Sequence, residues 1–161
     1  VVDVCSVKVY PVQWMRELLP KSVAILATHP MFGPDSAAES VAGYKIVLCP
    51  ERIKPGRYEK IKQVLSDTGL KLIETSAEEH DRKIAVSLAL THFIGRTLAE
   101  FGAEPLDIDT EGYKRLLHIL EVVNNDTWQL FHDMHCFNPY AVEKRQEFLA
   151  AMERVHSKIK A

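Results

Sequence analysis

Short apolar runs alternate with helical periodicity through the first 75 positions. Residues 1–4 read as a strand, 12–19 as a helix and 23–27 as a second strand. A Gly/Pro/Ser-rich loop follows over 30–43. Then come a strand at 44–48 closed by Pro50, a helix carrying Tyr58, Ile61, Val64 and Leu65 that stops at Gly69, and a last strand at 70–75. Strands of nearly continuous apolar character that alternate with helices predict a largely parallel sheet covered on both faces.

From Glu78 onward the pattern is helical throughout. Residues 78–101 are apolar on most sides, which predicts a centrally buried helix ending at Gly102. Thr110 is placed to cap a second helix that meets Asn124-Asn125-Asp126, poor helix formers where a break is expected. A third helix spans 127–137. Asn138-Pro139 opens a fourth, with the stripe Val142, Leu149, Met152, Val155 and Ile159. The fold class is therefore α/β followed by all-α, with a Rossmann-like part over 1–77 and a helical bundle over 78–161. The bundle carries more apolar surface than four short helices readily cover. A homodimer through this half would cover it; alternatively the helices cover the sheet edge of the first half.

Composition narrows the function. The 161 residues hold 20 Lys+Arg against 22 Asp+Glu, a net charge of −2, which argues against a nucleic-acid partner. The longest apolar runs, 23–27 and 84–90, fall short of the roughly 18 residues of a membrane span, so no membrane partner is expected. Three cysteines, Cys5, Cys49 and Cys136, show no CxxC spacing. They read as reduced core or near-core thiols in a cytoplasmic compartment. Among the 7 His, His132 and His135 stand only three apart and Cys136 completes no tetrahedral set, so no metal site is expected.

Candidate chemistry gathers after the strands. His29, in Thr28-His29-Pro30-Met31-Phe32-Gly33-Pro34, leaves a strand end, where ligands bind in open α/β sheets, and an imidazole there can accept a proton near neutral pH. A His-Pro at a strand end also occurs as packing alone. Ser6 and Lys8, in Asp3-Val4-Cys5-Ser6-Val7-Lys8, would bring a hydroxyl and an ammonium to the same rim, or form a surface turn.

Together these stretches resemble the prephenate and arogenate dehydrogenases of tyrosine biosynthesis. The likeness extends to Ser76-Ala-Glu-Glu-His80-Asp81 and to Leu90-Thr-His92-Phe-Ile-Gly-Arg96. Asp109-Thr-Glu-Gly-Tyr113, followed by Asn125-Asp126, is similar to the arogenate-type branch found in plants, which implies a plastid in such a source. The resemblance implies an NAD- or NADP-dependent oxidative decarboxylation of a cyclohexadienyl substrate. It makes His29 the proton acceptor, places Ser6 beside the same substrate hydroxyl and gives Lys8 to site electrostatics. Ser6 and Pro34 fall on the cofactor side, and His92 on the substrate side. His80 and Asp81 are expected to tie the junction together.

Two departures carry weight. No Gly-x-Gly-x-x-Gly turn is present, so the chain is expected to lack the N-terminal part of the cofactor domain and to hold a dinucleotide poorly by itself. The contrasting reading is a non-catalytic dimer-forming or regulatory remnant. Secondly, Glu121 stands where prephenate-type members carry a carboxylate-pairing Arg. Arg96 is then the best-placed cation for a substrate carboxylate, or else pairs with Glu100 one helical turn on, and Glu121 would favour a substrate bearing an ammonium.

Overall fold

A computed structural model describes residues 1–33 and 37–159, so Pro34 lies outside the described residues. The chain divides into two compact units, Val1–Asp81 and Arg82–Ala161.

The first unit is a four-stranded sheet in sequence order: β1 (Val2–Asp3), β2 (Ile25–Pro30), β3 (Lys45–Arg52) and β4 (Lys71–Glu74). Helix α1 (Val9–Leu18) links β1 to β2, and α2 (Pro55–Asp67) links β3 to β4. Both linked pairs are parallel, as a crossover helix requires. The largely parallel character thus holds for two of the three pairings. The middle pair, β2 with β3, is antiparallel, because a loop without a helix joins them and the chain simply turns back. Alternation along the strands builds two apolar layers. Ala27, Val47 and Cys49 pack with Val12 of α1 and with Ala77, while Leu26, Ile46 and Leu48 pack with Tyr58 of α2.

Helix α3 (Ala77–Ile84), whose residues up to Asp81 belong to the first unit, runs through a wider π-type segment, Ala85–Ala89, into α4 (Leu90–Phe101) of the second. Gly102, with φ of 76°, ends it in the left-handed conformation that glycine adopts without strain. Then come α5 (Glu111–Asn124), α6 (Trp128–Cys136) and α7 (Ala141–His156). Thr110 and Thr127 cap α5 and α6, accepting from the N–H groups of Tyr113 at 3.2 Å and Leu130 at 3.1 Å, and the expected break at 124–126 is the α5–α6 corner.

Three expectations are corrected. Cys49 is buried, its thiol pushed up to about 12 by desolvation, but Cys5 and Cys136 are exposed. Cys5 lies in the turn after β1 and Cys136 at the last position of α6, where little packs over them. The helix 78–101 is not buried all round. Its covered face carries Ala85, Ala89, His92, Gly95 and Arg96, while Val86 and Phe101 face solvent. Thirdly, the continuous helix Ala77–Phe101, 25 residues with a best-window hydropathy of 1.2, is long and apolar enough to cross a membrane by length and composition. Counting unbroken apolar runs overlooked it, because polar residues interrupt the run without lowering the window average enough. Within the second unit it serves as a packing helix, with Gly95 against α5.

A Cβ added at Gly95 would lie 2.8 Å from Val123 Cγ2 and 2.9 Å from its Cβ, and Val123 is buried. Gly95→Ala gains about 1 kcal/mol of helix propensity but forces α4 and α5 apart, at about 1–3 kcal/mol. Denaturant unfolding should show a net loss of up to about 2 kcal/mol, partly recovered in the Gly95→Ala/Val123→Ala double variant. A stabilised single variant would show that the helices can part freely.

Candidate active site

His29 has the same strand parity as Ala27 and so belongs to the α1 face of the sheet. It is 6% exposed. Its Nδ1 lies 2.9 Å from His80 Nε2, and His80 Nδ1 lies 2.7 Å from Asp81 Oδ1. Asp81, fully buried, also accepts the backbone N–H groups of Lys8 at 2.8 Å and Val9 at 2.9 Å. A carboxylate on two free N–H groups at the start of α1 satisfies donors that have no partner within the helix and offsets the positive end of its dipole.

Lys8 is completely buried. Its ammonium pairs with Asp3 and donates to the carbonyl oxygen of Thr28 at 2.6 Å. Asp3 also accepts from the Thr28 N–H at 3.1 Å, so the ends of β1 and β2 are cross-linked beside His29. Burial above all, then the neighbouring His80 and the Lys8 ammonium, hold His29 down at about 3, with Asp3 opposing. The imidazole is therefore a neutral acceptor at ordinary pH. Ser6 is half-buried in the turn between β1 and α1.

Whether these residues fit a dinucleotide is settled by the same turn. The β1–α1 connection, residues 4–8, contains no glycine, and the first N–H groups of α1 are already taken by Asp81. They cannot also cradle a phosphate. The β1–α1 turn therefore does not supply the phosphate-holding part of a cofactor site.

The second unit holds the other predicted residues. His92 Nε2 lies 3.7 Å from Asp126 Oδ2, and its Nδ1 is buried without a hydrogen-bond partner. Burial lowers its pKa, Asp126 opposes this, and the Arg96 charge adds to the lowering. Arg96 donates to the Asp126 carbonyl oxygen, approaches Asn124 Oδ1 at 3.5 Å and lies 4.5 Å over the Trp128 ring, with Nε buried and without a partner among the described residues. The expected alternative, a pair with Glu100, is replaced by contacts to the α5–α6 corner, which supplies part-buried acceptors. Glu121 stands apart: it is exposed on α5, 3.8 Å from His118, and no hydrogen bond or ion pair among the described residues joins it to His92 or Arg96.

Sequence reasoning placed His80 and Asp81 at the junction without seeing that they back His29. The available signal was the adjacent His-Asp pair itself, since an imidazole beside a carboxylate is a common way to orient a second group. Asp3, the counter-ion of Lys8, went unnoticed although it opens the same motif. Asp126 entered only as a marker of alignment.

Comparisons with known proteins place both units. Residues 1–74 match the family described as prephenate dehydrogenase, nucleotide-binding domain, and residues 97–161 match the TYRAAT1-like, C-terminal domain. Arogenate dehydrogenase 2, chloroplastic, from Arabidopsis thaliana is 37% identical over 163 residues, covering 98% of this chain and 46% of that protein. The probable arogenate/prephenate dehydrogenase of Methanocaldococcus jannaschii is 28% identical over 167 residues, covering 98% of this chain and 37% of that protein. The chain thus spans less than half the length of these relatives. Among solved structures, Synechocystis arogenate dehydrogenase aligns with a TM-score of 0.71 at 19% identity, over 97% of this chain and 60% of that one. Prephenate dehydrogenase from A. aeolicus, in complex with hydroxyphenyl propionate and NAD+, aligns with a TM-score of 0.73 at 20% identity, over 97% of this chain and 58% of that one. At such identity the structural likeness speaks for the fold, and the sequence matches speak for descent. The chain belongs to the prephenate/arogenate dehydrogenase family.

Proposed function

We propose that this chain is the proton-accepting and substrate-side part of an NAD(P)-dependent dehydrogenase that oxidatively decarboxylates arogenate in preference to prephenate. The observation that carries the reading is His29, a neutral buried imidazole at a strand end beside the Lys8–Asp3 pair. In the reaction, the substrate's ring hydroxyl passes its proton to His29, and the ring carboxylate leaves as carbon dioxide to give an aromatic product. The nicotinamide cofactor supplies the hydride acceptor. Ser6 lies beside the same hydroxyl, and burial, aided by the Lys8 charge, keeps His29 unprotonated until substrate arrives. His92 contacts the substrate, and Arg96 holds a substrate carboxylate through its Nε–H, which has no hydrogen-bond partner among the described residues. The lack of a phosphate-holding turn favours the contrasting reading, a non-catalytic module, only for the chain by itself.

The preference for arogenate rests on charge. Arogenate carries an ammonium where prephenate carries a ketone, and Glu121, with its carboxylate open to solvent, offers a counter-charge where an Arg would offer the opposite. In the full-length protein, kcat/KM for arogenate should exceed that for prephenate by about tenfold, the equivalent of about 1.4 kcal/mol. Arg96→Gln should lower it for both substrates, chiefly through KM. Preference for prephenate, or an Arg96→Gln enzyme equal to the parent, would defeat the corresponding half of this assignment.

The helical unit forms a homodimer in this reading. Val142, Leu149, Met152, Val155 and Ile159, the stripe on and just beyond α7, are between 46% and 72% exposed, with Phe101 at 81%. A row of this kind ordinarily marks an interface. Sedimentation at micromolar concentration should give a dimer, and a clean monomer would contradict it. The chloroplastic relatives suit a plastid in a plant-like source, and otherwise the cytoplasm.

A further inference from the structure

We propose that His80 and Asp81 are positioning residues for His29, acting through a hydrogen-bonded chain that leaves the lone pair of His29 on Nε2, the nitrogen turned to substrate. This deepens, and rests on, the reading of His29 as proton acceptor.

The argument follows the hydrogens. The Asp81 carboxylate offers only lone pairs, and its oxygens already accept the N–H groups of Lys8 and Val9. The 2.7 Å contact from His80 Nδ1 to Asp81 Oδ1 therefore requires the hydrogen to sit on His80 Nδ1. In a neutral imidazole the other nitrogen then carries a lone pair, so His80 Nε2 is an acceptor. The 2.9 Å contact between His80 Nε2 and His29 Nδ1 needs a hydrogen in its turn, and His29 must supply it. With Nδ1 protonated and the ring neutral, His29 Nε2 is the free lone pair.

Were His80 to carry hydrogens on both nitrogens, it would donate to His29 Nδ1. The His29 hydrogen would then move to Nε2, and the base would be blocked. The charges facing this trio are the Asp81 carboxylate on α3, the Lys8 ammonium ahead of α1 and the Asp3 carboxylate from β1. Burial and the Lys8 ammonium together disfavour a positive charge on His29.

During proton transfer the substrate O–H bond breaks, its electron pair stays on oxygen, and an N–H bond forms at His29 Nε2. The imidazolium so made keeps its Nδ1–H on His80, whose own Nδ1–H rests on a buried carboxylate. The trio thus sets the tautomer beforehand and steadies the charge afterwards. An enzyme base held in the wrong tautomer loses up to about 10⁴ in rate, so this device is large enough to matter.

Ring-nitrogen NMR of the full-length protein with isotope-labelled histidine tests the assignment without any turnover. The His29 and His80 signals are identified by their loss in His29→Asn and His80→Phe. At neutral pH the parent should carry hydrogen on Nδ1 of both rings, and a hydrogen on His29 Nε2 would overturn the proposal. In His80→Phe, which keeps a ring but removes the lone pair, the His29 hydrogen should shift toward Nε2. There kcat should fall by at least about tenfold, with KM within about threefold and the acid limb of the pH profile displaced; an unchanged kcat and profile would also overturn it. A parent with the assigned tautomers that turns over neither substrate would instead refute the functional reading and leave the hydrogen-bond chain standing.

Discussion

His29→Asn in the full-length protein is expected to fold as the parent does and to lose at least about two orders of magnitude in turnover, the scale on which a general base is felt. The substitution is mild for the fold. An amide is of similar size, and its N–H can reach toward His80 Nε2, so the buried contact at 2.9 Å keeps a donor. What disappears is the second ring nitrogen, the only part of His29 that can take the substrate proton. Burial holds the imidazole neutral, so the loss should appear across the working pH range rather than at its acid edge. Steady-state kcat measures it, with a matched unfolding midpoint to show that structure is intact. Turnover within about threefold of the parent would remove His29 from the chemistry.

Asp81→Ala should produce the largest loss of stability in the first unit. The carboxylate is completely buried and accepts from two backbone N–H groups and one imidazole. Removing it leaves those donors facing a hole. Each unsatisfied buried donor costs about 1–3 kcal/mol, and loss of a helix cap alone about 1 kcal/mol, so a total of about 3–5 kcal/mol is expected. Asp81→Asn should recover part of this, because its single oxygen can still serve one side of the arrangement. Urea unfolding reads both values. A change below about 1 kcal/mol for Asp81→Ala would mean that water or a neighbouring acceptor replaces the carboxylate.

The fold was legible where local rules and packing agree. The two crossover helices, the Thr110 cap, the break at 124–126 and the stop at Gly102 all follow from residues whose backbone preferences are strong. The antiparallel β2–β3 pair was not legible, because strand direction depends on whether the connection crosses over, and apolar runs do not record direction. Nor was the π-type segment at Ala85–Ala89, whose residues carry an ordinary helical pattern. The α7 stripe was correctly spaced, yet it faces solvent, since periodicity tells which side is apolar and not what covers it.

The site was legible in part. His29 stood out as a titratable group at a strand end, but its partners did not, because His80 is 51 positions away in sequence and only the fold brings them together. Lys8 was expected to contribute to site electrostatics; its burial and its pairing with Asp3, which cross-links β1 and β2 beside His29, were not legible in the sequence. Arg96 and Glu121 were both expected at the substrate. The structure buries Arg96 at the α5–α6 corner and leaves Glu121 exposed on α5, a difference that residue type alone does not reveal.

The most direct test of the central claim is a product balance for the full-length protein supplied with arogenate or prephenate and either nicotinamide dinucleotide. The account predicts one reduced cofactor and one carbon dioxide for each aromatic product, with arogenate consumed faster. A folded, cofactor-binding protein that forms no aromatic product from either substrate would contradict it.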